Sequence, residues 1–152
     1  IMKRNLIILI SALLIVCVFV VYFVINYRNM QIDAQANNKE YITYKDKTIV
    51  GTTLVSLINK TVDNNEKNNI EKDEKNTYIE NDKNSVKIYI YFLDLEKEDK
   101  YIETPYTMEQ IYNNDTDNFI KLYGTSNFYC SNIDYHEKTG NVKSLTFEQQ
   151  IY

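Results

Sequence analysis

The sequence predicts an α+β fold: an N-terminal transmembrane helix, followed by a small antiparallel sheet of two hairpins packed against helices. Three observations lead to this prediction. Residues 6–25 carry no charge, apolar residues recur at helical spacing after residue 50, and apolar and polar residues alternate in two later segments. A long uncharged run is typical of a membrane span, helical spacing of an amphipathic helix, and alternation of half-buried strands.

The uncharged run reads LIILISALLIVCVFVVYFVI and is twenty residues long. A helix rises about 1.5 Å per residue, so this run spans roughly 30 Å, the thickness of a bilayer's hydrocarbon core. A cleaved signal peptide has a shorter apolar core, followed at once by a small-residue cleavage site. Here the run ends in Asn26-Tyr27-Arg28, and the Ala34-Gln35-Ala36 triplet lies further on. We therefore predict an uncleaved anchor, with cleavage as the alternative.

The basic residues predict the orientation of this anchor. Lys3 and Arg4 precede the run, whereas Arg28 is the only close cation after it. The positive-inside rule then places the N-terminus in the cytoplasm. We expect a cell-membrane protein with an anchor at 1–28, a stem or linker at 29–40, and an extracytoplasmic α+β domain at 41–152. Ala-rich residues in the stem favour a continued helix, and a flexible stalk is the alternative.

The charge of the exported part limits the classes of partner. After Arg28 the chain carries 14 basic and 21 acidic residues, which gives a formal net charge of −7. Nucleic acid requires a basic face, so it is not an expected partner. The two cysteines, Cys17 and Cys130, lie far apart, and an internal disulfide is not expected. We predict Cys130 as a small apolar strand residue, with an intermolecular disulfide as the alternative.

The first helix of the domain is predicted after a β-prone segment at 41–44 and the short run Thr48-Ile49-Val50. Thr52 or Thr53 is the expected N-cap, and the helix should end near residues 64–65. Its apolar side repeats at helical spacing and is expected to face the core: Val50, Leu54, Leu57, Ile58 and Val62. The charged, Asn-rich stretch at 63–76 is expected to be a solvated loop or a frayed helix end.

The first hairpin is predicted from Tyr78 to Phe92, with a turn at residues 81–84. In its second strand an inward aliphatic set alternates with an outward set: Val86, Ile88, Ile90 and Phe92 against Lys87, Tyr89 and Tyr91. Alternation of this kind is typical of a strand with one buried face.

Two short helices and a second hairpin complete the domain. After an acidic turn at 93–100, Thr107 and Gln110 form a capping-box pattern for one helix. Asp115 or Thr116 is expected to cap the other, whose apolar residues are Phe119, Leu122 and Tyr123, with Gly124 at the C′ position in a positive-φ conformation. The second hairpin is predicted at 127–151, with its turn at 137–141 containing Gly140.

No catalytic, metal-binding or cofactor-binding motif is present in the sequence. His136 is the only histidine, and we expect it to be exposed at a hairpin turn. The acids Glu96, Glu98 and Asp99 fall in a solvated turn, where carboxylates keep ordinary acidity. We therefore predict a non-enzymatic protein without metal or cofactor.

Tyrosine is abundant, with 14 residues, and several fall on predicted strands. Tyrosine buries a large area at low entropic cost, which suits interfaces. We predict an interaction face of Tyr89, Tyr91, Tyr129 and Tyr135, although strand propensity and coding bias also favour tyrosine.

The layout of basic tip, apolar helix, stem and sheet resembles type IV pilins and pseudopilins. The chain lacks the Gly before the apolar run and the Glu within it that mark that family, so none of its functional residues is carried over. Separately, YKDKTIVGTTLVSLINKTVDNN at 44–65 and NDKNSVKIYI at 81–90 resemble uncharacterised single-anchor membrane proteins of low-GC Gram-positive bacteria. The pilin-like architecture implies surface assembly; the second resemblance implies no activity.

Three functions are therefore considered. The first is a membrane-anchored extracytoplasmic protein acting in envelope assembly or binding through protein contacts. The alternative is a pilin-like subunit of a surface filament or secretion system, which a helix continuous through residue 36 would favour over a break at 26–29. The third is an envelope hydrolase, which requires a pocket containing His136 or two close carboxylates. The expected partners are the membrane, through residues 6–25, and another protein or a further copy.

Overall fold

The computed structural model of the chain describes residues 2–94 and 100–151. It is an α+β protein, as predicted. The first helix, α1 (Met2–Ile42), is 41 residues long and apolar enough over its first half to cross a membrane. Its side chains from Lys3 to Asn29 are exposed. The helix runs without a break through the predicted stem, which confirms the continued helix and excludes a flexible stalk.

In the part of the chain that the structure describes, eight further elements follow: β1 (Thr48–Val50), α2 (Gly51–Lys67), β2 (Lys87–Tyr91), β3 (Tyr106–Thr107), α3 (Met108–Asn113), α4 (Thr116–Tyr123), β4 (Asn127–Tyr135) and β5 (Val142–Gln150). The strands make one sheet in the order β1-β4-β5-β2-β3. The sheet is mixed, because β2 runs parallel to β5 while the other pairs are antiparallel. The predicted purely antiparallel sheet is therefore wrong.

The predicted hairpin from Tyr78 to Phe92 is also wrong. The turn at 81–84 exists, since Asn81 Oδ1 accepts hydrogen bonds from the backbone of Lys83, Asn84 and Ser85. However, Tyr78 bridges to Lys72 rather than to the strand that follows the turn. Strand β2 instead lies between β5 and β3, so both of its edges are paired.

The second predicted hairpin is confirmed, with β4 and β5 antiparallel along their lengths. Gly140 in its turn has φ of 73°, a conformation that glycine adopts without steric cost. A bulge after Cys130 shifts the register by one residue. The long pairing of β4 with β5 forms the centre of the sheet.

Helix α2 covers one face of the sheet, and its predicted apolar side is buried except for Val50, which belongs to β1 and is 40% exposed. Leu54, Leu57, Ile58 and Val62 are at most 1% exposed and pack with the inward residues of β2, β4 and β5. The predicted N-caps, Thr52 and Thr53, are not used as caps, because Val50 occupies that position without a side-chain bond. The free N–H groups of Gly51 and Thr52 donate to the carbonyls of Ser126 and Gly124 instead.

Helix α2 also continues beyond the predicted end at 64–65. Asn65 is buried and exchanges two hydrogen bonds with the backbone of Val86, at 2.8 and 2.9 Å. These bonds join the helix to the start of β2. The remainder of the predicted loop, at 68–76, forms turns, and Ile70 is buried among otherwise exposed residues.

The two short helices, α3 and α4, begin at the caps that the sequence predicts. The carboxamide of Gln110 accepts from the N–H of Thr107 at 2.8 Å, as in a capping box, and Asp115 accepts from the N–H of Asp117 at 2.9 Å. The expectation for Gly124 is wrong, since its φ is −57°. This glycine lies where the backbones of α4 and α2 meet.

The end of α1 docks onto the domain through one face. Ala34, Asn38 and Tyr41 are buried at helical spacing, and Tyr41 joins the core beside α2. Asn38 donates to the carbonyl of Gly140 at 2.7 Å and accepts from the N–H of Val142 at 2.6 Å. The predicted β segment at 41–44 is wrong, because Tyr41 and Ile42 complete α1.

Candidate functional site

Three of the four predicted tyrosines share the sheet face that α2 does not cover. Tyr91 and Tyr129 both lie opposite Glu148, one on each side of β5, and Tyr89 lies opposite Thr146. Tyr135 lies opposite the buried Val142 near the hairpin turn. It is six residues from Tyr129, about 20 Å along the strand, so it does not join the other three.

The hydroxyl of Tyr89 is already engaged within the fold. It donates to Glu80 at 3.0 Å, and partial burial together with this carboxylate raises the pKa of Tyr89 to about 12. Burial opposes ionisation of Glu80, but hydrogen bonds from Lys143 and Tyr89 outweigh it and lower the pKa of this carboxyl. The tyrosine face is therefore a mixed polar surface rather than an apolar patch.

A concavity lies at the end of the sheet where strands β2 and β5 end. Its volume is about 570 Å³, within the range of roughly 300–1,000 Å³ typical of ligand pockets. Four aromatic residues line it: Phe92, Tyr106, Phe119 and Tyr123. Four aliphatic residues complete its apolar wall: Leu93, Ile102, Ile111 and Leu122. We call this concavity the aromatic cavity.

The floor of the aromatic cavity is a packed ring cluster. The Phe92 ring lies 4.9 Å from that of Tyr123 and 5.1 Å from that of Tyr106, centroid to centroid. Phe119 and Phe128 pack against the same ring at 6.2 and 6.0 Å. Three of these four contacts are edge-to-face, the geometry that aromatic pairs prefer, and the Phe92–Tyr123 pair is tilted. The floor is consequently preformed.

The rim of the aromatic cavity is open to solvent. Leu122 is 65% exposed, Tyr106 45% and Ile102 40%. The described rim of the cavity is therefore partly apolar and exposed.

Six polar residues also line the aromatic cavity: Asp94, Gln110, Asn114, Asp115, Asn118 and Gln149. Gln110 and Asp115 cap helices, and Gln149 accepts from the N–H of Leu93 at 3.2 Å. Both charged lining residues, Asp94 and Asp115, are acids, and none of the described lining residues is basic. The lining therefore combines polar groups with the apolar wall.

The aromatic cavity and α1 lie at opposite ends of strand β5. Asn38 of α1 bonds to Val142, the first residue of the strand, whereas Gln149 near its end lines the cavity. Seven residues of strand separate the two, about 23 Å. The cavity is thus remote from the helix that carries the apolar run.

His136 and Cys130 have structural environments. The predicted exposed histidine is wrong: His136 is 3% exposed, and its Nε2 donates to the carbonyl of Ser85 at 2.7 Å. Cys130 is buried in β4, as predicted for a small apolar residue, and burial raises the pKa of its thiol to about 11. Neither residue lines the aromatic cavity.

Among the described residues, no group of three or more histidine, cysteine, aspartate or glutamate side chains is arranged to hold a metal ion. Asp94 and Asp115 do line one cavity. The acids Glu96, Glu98 and Asp99, which the sequence places in a solvated turn, lie outside the described residues.

Sequence reasoning did not find the aromatic cavity. Its walls come from β3, α3, α4, β5 and the segments beside them, including the three residues that follow β2, and the fold alone brings these together. Leu122 and Phe119 were assigned to one apolar side of α4, but Phe119 is buried and Leu122 is exposed. The local sequence pattern does not distinguish the buried residue from the exposed one.

No protein-family model, curated protein or solved structure matches this chain. Its function is therefore inferred from its geometry and chemistry.

Proposed function

We propose that the chain is a single-pass membrane protein that holds an extracytoplasmic binding domain close to the bilayer, where it contacts other envelope proteins. The observation that supports this proposal is the exposure of the apolar part of α1. Its apolar run is exposed throughout, and only its last turns pack on the domain. An apolar surface of that length is unfavourable in water and favourable in a bilayer.

The continuous helix sets the distance between the bilayer and the domain. Ala34, the first buried residue among those described in α1, lies nine positions after Ile25, the end of the apolar run. At the helical rise this is about 14 Å. A rigid connection of that length would keep the domain just beyond the headgroups, where membrane-bound partners are within reach.

Lys3 and Arg4 support an outward orientation of the domain through the positive-inside rule. The net charge of −7 after Arg28 supports a domain that stands off an anionic membrane surface rather than lying on it. An open aromatic cavity supports binding as the activity. His136 and Cys130, which could otherwise serve in catalysis, are enclosed in the core.

The anchoring step can be tested by fractionation after expression in a bacterial host. The pair Leu14→Lys and Ile15→Lys places two charges in the middle of the span, where each costs about 2.5–3.5 kcal/mol on insertion scales. We expect the wild-type protein to stay in membranes through alkaline carbonate extraction and the double variant to be extracted.

A matched control carries two lysines on the same helix outside the span, Ile32→Lys and Gln35→Lys. Both positions are exposed, so this variant should remain in the membrane. Extraction of the wild-type protein, or equal retention of both double variants, would contradict membrane anchoring by the apolar run.

A second candidate, a pilin-like filament subunit, is favoured by one observation: α1 continues past residue 36 without a break. Such a subunit would leave the bilayer and pack its apolar helix in a filament. Mechanical shearing of intact cells would then release assembled protein without detergent. The anchored protein would instead stay entirely with the membrane fraction, and the shearing experiment separates the two.

A further inference from the structure

We propose that a groove between α1 and the β4–β5 turn holds the zwitterionic headgroup of a phospholipid from the bilayer leaflet next to the domain. The groove has a volume of about 350 Å³ and is lined by residues of α1 between Tyr27 and Asn38 and by turn residues 137–140. We call it the α1 groove. This inference rests on the proposed membrane anchor and adds a bound lipid to it.

The continuous helix sets the depth of the α1 groove relative to the bilayer. Tyr27 lies two positions after Ile25, the end of the apolar run, which is about 3 Å at the helical rise, and Met30 lies about 8 Å beyond it. The headgroup layer covers roughly the first 5–7 Å outside the hydrocarbon core. Because α1 has no break, the near end of the groove stays in this layer while the apolar run is inserted. Phospholipid headgroups are therefore the groups that surround the entrance of the groove.

One flank of α1 presents polar groups from the headgroup layer up into the groove. Arg28, Gln31 and Gln35 follow one another at spacings of three and four residues, so they share a stripe of the helix. Arg28 is exposed and makes no ion pair with any residue that the structure describes, and the exposed Gln35 makes no hydrogen bond there. Gln31 donates one N–H to the hydroxyl of Tyr27 at 2.8 Å and keeps a second N–H. These N–H groups suit the oxygens of a phosphate.

The facing wall of the groove supplies a carboxylate. Glu137 lines the groove, is exposed and has no ion-pair partner in the described part of the chain. Lys138 beside it is already paired with Asp82. A zwitterionic headgroup can place its ammonium against Glu137 and its phosphate near Arg28. An anionic headgroup has no ammonium and would also meet the net charge of −7 that the chain carries after Arg28, so it is disfavoured.

Native mass spectrometry tests whether the full-length chain retains such a lipid. The protein is purified in a mild nonionic detergent, and phosphatidylcholine is added stepwise. We expect one lipid per wild-type chain at saturation. Arg28→Gln should weaken its retention several-fold. The control Lys39→Gln removes the same charge from α1 at an exposed position that does not line the groove, and it should leave retention unchanged.

The same measurement tests the role of the carboxylate. Phosphatidylglycerol, which has no ammonium, should be retained several-fold less than phosphatidylcholine by the wild-type chain. Glu137→Gln should abolish that preference. Asp33→Asn is the matched control, because Asp33 is an exposed acid of α1 that does not line the groove, and this variant should keep the preference.

Tryptophan fluorescence tests where the lipid binds, since the chain has no tryptophan of its own. Met30→Trp places the reporter in the groove, and Asn29→Trp places it at nearly the same depth outside the groove. The quencher is phosphatidylcholine with a nitroxide on its headgroup. We expect quenching of Met30→Trp to saturate and to be relieved by unlabelled phosphatidylcholine. Quenching of Asn29→Trp should rise in proportion to the labelled lipid, as expected for contact with bulk headgroups. If Met30→Trp itself loses the lipid while Asn29→Trp retains it, the groove is also supported.

The proposal is overturned if the wild-type chain retains no phosphatidylcholine, or if Arg28→Gln and Lys39→Gln retain it equally. It is also overturned if quenching of both tryptophan variants rises in the same proportion, or if the groove is closed by a dimer that excludes the lipid. Lipid retention is measured on purified protein in detergent, and carbonate extraction does not depend on the groove. A chain that stays in carbonate-washed membranes but retains no lipid would overturn the groove alone, whereas extraction of the wild-type chain would overturn the anchor.

Discussion

Gly51 shows how a single residue fixes the junction between two parts of the chain. It begins α2, and its N–H donates to the carbonyl of Ser126 at 2.9 Å. A Cβ atom at this position would lie 2.0 Å from the carbonyl oxygen of Tyr123, at the end of α4. Two backbones meet here, so neither can move aside without losing hydrogen bonds.

The substitution Gly51→Ala should therefore destabilise the domain by about 3 kcal/mol or more, at the upper end of the cost of overpacking. Gly140→Ala is the control, because its Cβ would have ordinary contact with Ala34 but an unfavourable positive φ. That conformation costs about 1–2 kcal/mol. Urea unfolding in detergent micelles, followed by near-ultraviolet circular dichroism, measures both; an unchanged midpoint for Gly51→Ala would contradict the close approach.

Residue-level prediction succeeded for two local caps and failed for the N-cap of α2, for Gly124 and for His136. Gln110 and Asp115 bond to groups within three residues, and the sequence shows both caps. His136 bonds to Ser85, 51 positions away, and was expected to be exposed. No feature of the chain near His136 indicates that bond.

At the scale of elements, the contact between α1 and the β4–β5 turn fixes the end of α1 against the sheet. Asn38 makes both of its strong bonds across this contact, to Gly140 and Val142. Asn37, the preceding residue, is exposed and makes a single 3.4 Å bond to Asn141. The contact therefore depends mainly on one buried carboxamide.

Replacing Asn38 with alanine leaves the N–H of Val142 without its partner, which costs about 1–3 kcal/mol. We expect the backbone amide of Val142 to exchange with deuterium about tenfold faster or more in Asn38→Ala. Asn37→Ala should leave that amide close to its wild-type rate. Mass spectrometry of peptides from the turn and β5 gives the measurement, and equal rates in the two variants would mean that Asn38 does not hold the contact.

Element types were predicted better than their pairing. The helical spacing of α2 and the alternation of β2 are both present in the sequence. The outward position predicted for Lys87 is wrong, because its side chain is buried in an ion pair with Glu109 at 2.6 Å. Alternation does not identify a strand's neighbour. Strand β2 pairs in parallel with β5, more than fifty residues later, whereas the prediction paired it with its sequence neighbour at Tyr78.

At the scale of the whole molecule, the long helix α1 and the aromatic cavity lie at opposite ends of strand β5. One end of β5 contacts α1 and the other lines the cavity. The apolar run in the sequence predicts the long helix α1. The cavity forms only when four elements, β3, α3, α4 and β5, meet the segments between them, so no motif in the sequence could reveal it.

The central claim, an outward-facing domain on a membrane anchor, is tested most directly by cysteine accessibility. Cys130 is an unsuitable reporter because it is 1% exposed and burial raises its pKa to about 11. The exposed Thr125 replaces it, as Thr125→Cys in a Cys17→Ala background. The matched reporter on the other side of the span is Asn5→Cys, and Cys17→Ala alone is the blank.

We expect a membrane-impermeant maleimide to label Thr125→Cys on intact cells and Asn5→Cys only after lysis. The blank should remain unlabelled until it is denatured. Labelling of Thr125→Cys only after lysis would place the domain in the cytoplasm and contradict the account.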